Sequence, residues 1–191
     1  MSRKILESAR KSSLALAVLV VIAAGGLAVN ALAGEKKPAA AAAALRDARG
    51  DTIGTVRLLP RADGAVSVRA EVESLPAGFH GFHVHEHGVC VPPFTSAGGH
   101  FNPGSASHGS HAGDMPVLLV NQDGSAKAQF ETDRFRIEDL LDEDGSAIIV
   151  HESADNYANI PTRYSASGPD ADTLATGDAG GRLACGVVSK H

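Results

Sequence analysis

Histidines are concentrated in one short stretch of this 191-residue chain. Seven of the nine histidines lie within the 36 residues from Phe79 to Asp114. His83 and His85 stand two apart in the run GFHVHEHG, which is typical of a β-strand. Because side chains of a strand alternate between its faces, both imidazoles can bind one ion, while Phe82 and Val84 pack inward on the other face. This density and spacing predict a metal site.

A second group of candidate ligands follows in a loop rich in Gly and Ser. The group consists of His100, His108, His111 and Asp114. Three imidazoles and a carboxylate form a tetrahedral set suited to zinc, which accepts nitrogen and oxygen ligands at about 2.0 to 2.2 Å. His151 lies farther on, in a second strand-like run, AIIVHES. A single histidine is more often a hydrogen-bonded core or surface residue, but the joint pattern indicates metal binding.

Five segments of the chain resemble motifs of the copper/zinc superoxide dismutases and occur in the same order. They are GFHVHEHG, GGHFNP, HAGDMP, VHESADN and GDAGGRLACGV. The resemblance covers about residues 42–189. It implies an all-β fold, an eight-stranded antiparallel Greek-key barrel or sandwich with long metal-binding and electrostatic loops. It also implies an enzyme that contains copper and zinc.

The resemblance assigns one metal to each histidine group. The expected copper ligands are His83, His85, His100 and His151. The expected zinc ligands are His100, His108, His111 and Asp114. His100 would bridge the two ions, because a deprotonated imidazole can bind a metal through each ring nitrogen. The step from His108 to His111 is shorter than is usual in the family, so zinc occupancy stays open.

The reaction implied by the resemblance is the dismutation of superoxide to dioxygen and hydrogen peroxide. Copper would alternate between two oxidation states, and zinc would hold the loop. His100 is expected to leave reduced copper and carry a proton. Arg182, in GGRLACGV, matches the family's substrate-guiding arginine, whose permanent charge attracts a small anion. Asp155 matches a carboxylate that joins copper-side and zinc-side histidines by hydrogen bonds, and His80 matches a structural histidine.

The first 33 residues predict export. Basic residues precede an apolar run, Ser13 to Ala33, that ends in small residues, which is typical of a cleaved signal peptide. The run is also long enough to span a bilayer, so an uncleaved membrane anchor is the alternative. We therefore expect the protein in the periplasm, in the cell envelope or outside the cell. In an exported chain Cys90 and Cys185 predict one disulfide, with two unrelated buried thiols as the alternative.

Composition narrows the choice of partners. The formal net charge is −5, and it becomes −8 without residues 1–33, which hold four basic residues and one acidic residue. An acidic chain argues against nucleic acid as a partner.

Residues 34–44 predict an alanine-rich linker, and residues 45–191 predict one domain. The stretch before Cys90 is short where the family often forms dimer contacts, so both a homodimer and a monomer remain open.

The candidate metal ligands must be positioned by short strands that tight turns connect. Apolar residues alternate with polar ones over residues 66–72, which predicts a strand that pairs with DTIGTVRLL through an Asp-Gly turn at 63–64. A second hairpin is predicted at Asp-Gly 123–124, between MPVLLV and SAKAQFET, and a third Asp-Gly, at 144–145, precedes SAIIVHES. Residues 134–143 predict a short helical turn. The pattern favours an antiparallel sandwich or barrel.

Two classes of function fit these observations. The first is an exported superoxide dismutase, and the second is a non-catalytic copper-binding or copper-carrying module of the same fold. Four copper-ligand positions together with Arg182 favour the enzyme, because a carrier has no need of a substrate-guiding cation. A purely structural sandwich domain leaves the histidines unexplained.

Overall fold

The structure is a computed structural model and describes residues 40–191. The predicted signal peptide or anchor and most of the predicted linker lie outside the described residues. Among residues 40–191, no helix is long and apolar enough to cross a membrane. The described strands are β1 (Ala41–Asp47), β2 (Thr52–Pro60), β3 (Val66–Val72), β4 (Gly78–His80), β5 (Phe82–His85), β6 (Leu118–Val120), β7 (Ala126–Thr132), β8 (Ala147–His151), β9 (Arg182–Val187) and β10 (Ser189–Lys190). They are joined by one α-helix, α1 (Ala171–Thr176), and by 3₁₀ helices at Thr95–Ala97 and Glu138–Leu141.

Eight of these strands form one antiparallel sheet, which confirms the predicted all-β fold. Its order is β5-β8-β9-β1-β2-β3-β7, with β10 paired to β1, and it curls into a half-barrel. β4 and β6 form a separate antiparallel pair. β5 lies beside β8, and β9 lies beside β1, so strands distant in the chain become neighbours, as a Greek key requires. This crossing brings β5, which carries His83 and His85, beside β8, which carries His151.

The core follows the period-two pattern. Val68 and Ala70 of β3 are at most 1% exposed, while Arg69 between them is exposed, so one face of the strand packs inward. Phe82 and Val84 of β5 are fully buried, as expected. The predicted β2–β3 hairpin is present. Burial of the apolar face of β5 anchors the strand whose other face carries the imidazoles.

The predicted linker, residues 34–44, is wrong at its end, because β1 already begins at Ala41. Ala41 and Ala43 are 1% exposed, and in the ladder they lie opposite Leu58 and Val56 of β2. An alanine run has no alternation of apolar and polar residues, so its sequence gives no sign of a strand. Pairing with β2 and β10 supplies the strand conformation, which is a tertiary effect that overrides local preference.

The second predicted hairpin is wrong in its pairing, although its turn forms. The Asn121 N–H donates to the carbonyl of Ser125 at 2.8 Å, which closes the turn at 123–124. Beyond the turn the strands diverge, since β6 pairs with β4 and β7 pairs with β3 along its whole length. The third Asp-Gly turn leads into β8 as predicted, and the 3₁₀ helix Glu138–Leu141 confirms the predicted helical turn.

Candidate metal centre

One group of histidines, the copper-side cluster, consists of His83, His85, His100 and His151. His83 and His85 lie on β5, and His151 ends the adjacent strand β8. His100 reaches the group because its backbone forms an isolated antiparallel bridge with His85. One nitrogen from each ring lies within 4.8 Å of the others, and all four residues are buried. The face of β5 that carries the imidazoles is therefore covered, in part by the loop that contains His100.

The Nε2 atoms of His85 and His151 face each other, and each carries a lone pair. Nδ1–H of His85 donates to the carbonyl of Gly98 at 3.0 Å, and Nδ1–H of His151 donates to the carbonyl of Gly180 at 3.2 Å. Their Nε2 atoms are 3.2 Å apart. With the protons on Nδ1, both Nε2 atoms carry lone pairs directed into one space. Such an arrangement is what a cation needs from neutral imidazole ligands.

The zinc-side cluster consists of His100, His108, His111 and Asp114. Oδ1 of Asp114 lies 3.0 Å from Nδ1 of His100, 3.3 Å from Nδ1 of His108 and 3.4 Å from Nδ1 of His111. The second oxygen, Oδ2, accepts the backbone N–H of His111 at 2.9 Å. Three Nδ1 atoms and one carboxylate oxygen thus converge. Because Nδ1 of His100 points into this cluster, its Nε2 is the nitrogen left for the copper-side cluster.

Asp155 connects the two clusters by hydrogen bonds. Its Oδ2 accepts Nε2–H of His83 at 2.6 Å, and its Oδ1 accepts Nε2–H of His108 at 2.8 Å. The Tyr157 backbone N–H donates to Oδ1 at 2.6 Å. With their protons on Nε2, His83 and His108 each carry a lone pair on Nδ1. Both Nδ1 atoms are buried, and neither has a hydrogen-bond partner among residues 40–191, so the residues present fit a bound metal ion on each side.

The protonation states of His83 and His151 suit metal binding, whereas His108 must first lose a proton. Burial lowers the pKa of His83 to about 4 and the pKa of His151 to about 3, so both rings are neutral at pH 7. Burial by itself raises the pKa of Asp114 and Asp155, but hydrogen bonds from their histidine partners hold both pKa values below the ordinary range. Burial lowers the pKa of His108, yet the nearby carboxylates of Asp114 and Asp155 outweigh that effect and raise it to about 9. A metal ion at Nδ1 of His108 would displace that ring's extra proton.

Arg182 is a cation that lies next to the copper-side cluster in the β8–β9 ladder. It begins β9 and lies opposite His151 in the β8–β9 ladder. Its Nη1–H donates to the carbonyl of Phe94 at 2.5 Å, and its Nη2–H donates to the carbonyl of Gly98 at 2.6 Å. The same Gly98 carbonyl accepts from His85. Burial lowers the pKa of Arg182, but a guanidinium starts so high that it stays protonated.

A sequence model of one family, described as copper/zinc superoxide dismutase (SODC), matches residues 52–188. The chain belongs to this copper/zinc superoxide dismutase family. The matched range contains every residue of both clusters together with Asp155 and Arg182. Copper and zinc are the metals of the family, and each of the two clusters could hold a metal ion.

Several relatives of known sequence carry the same family name. A "Superoxide dismutase [Cu-Zn]" from Mycolicibacterium paratuberculosis is 45% identical over 130 residues, which cover 60% of this chain and 57% of the relative. The chain therefore spans little more than half the length of that relative. A "Superoxide dismutase [Cu-Zn]" from Deinococcus radiodurans is 34% identical over 188 residues, which cover 88% of this chain and 94% of the relative.

Solved structures show the same fold. The clock protein EA4 superposes with a TM-score of 0.69 at 31% identity, covering 83% of this chain and 98% of its own. A SOD-like protein from Bacillus subtilis superposes with a TM-score of 0.62 at 33% identity, covering 76% of this chain and 96% of its own. This chain therefore shares its fold with a SOD-like protein.

The predicted disulfide is confirmed between Cys90 and Cys185, whose Cα atoms are 5.7 Å apart. It joins two positions separated by 95 residues in the sequence. One lies in the loop that follows β5, and the other lies on β9, three residues after Arg182. The loop carbonyls that accept from Arg182 belong to the same loop. In this dismutase-family member the disulfide and the arginine therefore hold one loop to one strand.

Sequence reasoning missed residues that shape the site without offering a ligand. Gly177 has φ of +60°, and a Cβ there would collide with Oδ1 of Asp155 and Nε2 of His108. A Cβ at Gly81 would lie 2.7 Å from Cβ of Ala179 and 3.1 Å from Cε1 of His83. The glycines of the GDAGG motif and the glycine before FHVH were the available signal. Because these glycines have no Cβ, Gly177 leaves room for Asp155 and His108, and Gly81 leaves room for His83.

Proposed function

We propose that this chain catalyses the dismutation of superoxide to dioxygen and hydrogen peroxide. Copper would be held by His83, His85, His100 and His151, and zinc by His100, His108, His111 and Asp114. The observation that carries the proposal is the sharing of one buried imidazole, His100, by two four-residue clusters whose ligand atoms converge. When bound, copper supplies reversible one-electron chemistry, and zinc supplies a charge that takes no part in redox.

Arg182 would attract and orient the substrate. Superoxide is a small anion, and the acidic chain as a whole repels it. A guanidinium has five N–H donors, of which Arg182 directs donors from two nitrogens to backbone carbonyls. Those bonds hold the side chain in place beside His151 and leave the charge and further donors for an anion. The expected contribution is to the rate of capture and to orientation.

His100 would hold the proton that the reduced product needs. Two superoxide ions and two protons give one dioxygen and one hydrogen peroxide, so the site must deliver protons. Nδ1 of His100 is directed to the zinc-side cluster, 3.0 Å from Asp114. That arrangement leaves Nε2 as the atom that can hold a proton and pass it to the bound anion. Asp155 keeps the neighbouring His83 in one tautomer throughout.

The proposed setting is outside the cytoplasm. Support comes from the leader-like residues 1–33, acting as a signal peptide or as a membrane tether, and from a disulfide, which persists in oxidising compartments. The first residue of the mature protein, determined by mass spectrometry of cell fractions, tests this part. An intact Met1 terminus on cytoplasmic protein would refute export.

The activity is tested with the mature protein loaded with copper and zinc. We expect rapid superoxide removal that cyanide inhibits, and no removal by the same protein loaded with zinc alone. Stoichiometric copper without superoxide removal would refute the enzyme and support the copper-carrying module instead. The absence of stoichiometric copper would refute both.

A further inference from the structure

The two zinc-side histidines nearest in sequence, His108 and His111, are joined by a tight turn. The Ser110 N–H donates to the carbonyl of Ser107 at 3.0 Å, and Gly109 has φ of +84°. A Cβ at Gly109 would lie 2.7 Å from the backbone oxygen of Tyr157. The turn is therefore pressed against the Tyr157 backbone on one side, and only glycine fits there.

Arg134 holds the same turn from another part of the fold. This residue follows β7, more than twenty residues after the turn in the sequence. Its Nη1 donates to the carbonyl of Gly109 at 3.1 Å and to the carbonyl of His111 at 3.2 Å. The His111 carbonyl also accepts the Asp114 backbone N–H at 3.2 Å. One guanidinium nitrogen thus connects the two carbonyl groups on either side of Ser110.

A connection of this kind has a larger effect on a short loop than on a long one. The spacing of three residues leaves few backbone torsions with which to direct two imidazoles at one ion, and the glycine between them is the most permissive residue. Hydrogen bonds from a charged donor are stronger than neutral ones. Both bonds join loop residues outside the strands, and the one to Gly109 is exposed, so the sheet itself does not depend on them.

We propose that Arg134 is a positioning residue for the zinc ion. Its guanidinium holds the 108–111 turn in the conformation that brings the Nδ1 atoms of His108 and His111 together. The proposal rests on the zinc assignment made above. The described side-chain bonds of Arg134 go to the zinc-side loop, so removal of the guanidinium weakens zinc binding and leaves copper binding unchanged.

The test compares zinc affinity in the full mature protein and in three variants, by competition with a chromophoric chelator. Arg134→Met removes the donors and keeps the length of the side chain, and we expect zinc affinity to fall about 10- to 100-fold, the usual range for residues that orient metal ligands. Arg134→Lys keeps one charged donor and should recover part of the loss. Arg136→Met removes an exposed arginine two residues away and is the matched control, with unchanged affinity.

Two further measurements separate positioning from general loosening. The visible spectrum of the protein with cobalt in the zinc site should change in Arg134→Met and return toward the parent spectrum in Arg134→Lys. Copper affinity should stay the same in all variants. Parent-like zinc affinity and cobalt spectrum in Arg134→Met would overturn the inference, as would an equal loss of copper and zinc. If the parent protein itself binds no zinc, the zinc assignment fails and the inference fails with it.

Discussion

Replacement of Asp155 by asparagine should weaken copper binding more than zinc binding. The carboxylate accepts from His83 through Oδ2, and from His108 and Tyr157 through Oδ1. An amide has one acceptor oxygen and one NH₂ donor. If the NH₂ group took the position of Oδ1, it would face two N–H donors. In the position of Oδ2 it faces mainly Nε2–H of His83, so we expect the amide to adopt this second orientation.

The size of the effect follows from the bond that is lost. Asp155 and His83 are both fully buried in their side chains, and their bond of 2.6 Å is charge-assisted. Removal of such a bond costs about 1.5–3 kcal/mol. At about 1.4 kcal/mol for each factor of ten, copper affinity should fall about 10- to 100-fold. His108 keeps an acceptor, although a neutral one, so zinc affinity should fall by less.

The assay is competitive titration of each metal against a chelator of known affinity. Asp172→Asn serves as the control, because Asp172 is an exposed carboxylate on α1 in the same long loop. It removes the same charge without touching either cluster, and both affinities should stay at the parent values. A larger loss of zinc than of copper in Asp155→Asn would refute the assigned orientation. Unchanged affinity for both metals would refute the connecting role of Asp155.

Three other outcomes are expected. His151→Ala removes one of two facing Nε2 lone pairs, so metal analysis should show copper occupancy reduced at least tenfold and superoxide removal lost; full activity would contradict copper binding by His151. Arg182→Ala should keep copper, slow turnover at least several-fold and weaken its dependence on salt in stopped-flow assays; an unchanged rate would contradict substrate guidance. In metal-free protein, urea midpoints should be highest near pH 6.5, the ordinary histidine value. They should fall at lower pH, because the depressed pKa values of His83 and His151 let only the unfolded state take up protons. They should also fall between pH 6.5 and about 9, because the raised pKa of His108 keeps its proton in the folded state while the unfolded state releases it. A flat profile would contradict these shifts.

The fold was predictable where its signal is local. Alternation of apolar and polar residues identified β3, and an Asp-Gly turn identified its hairpin with β2, because both are short-range properties. Prediction failed where pairing is long-range. The alanine run at Ala41–Ala44 is a strand only because β2 and β10 lie beside it, and β6 leaves its apparent hairpin partner for β4.

In the candidate site, too, some residues could be predicted from the sequence and others could not. Residue types and spacing on β5, together with motif resemblance, were enough to name the ligand candidates and the cysteine pair. The role of Gly177 was not predictable, since its importance depends on Asp155 and His108, which come close only after folding. The same holds for Arg134, whose partners lie in another loop.

By itself, then, the sequence determined which side chains could bind metal, because composition and the two-residue period of a strand are properties of consecutive residues. Only the tertiary structure decided which nitrogen of each imidazole is free, because a tautomer depends on the acceptor that the other nitrogen meets. Those acceptors are Asp155 and the carbonyls of Gly98 and Gly180, and each is far from its histidine in the sequence or on another element. Their positions depend on the packing of β5, β8 and β9 and of the loops that cover them.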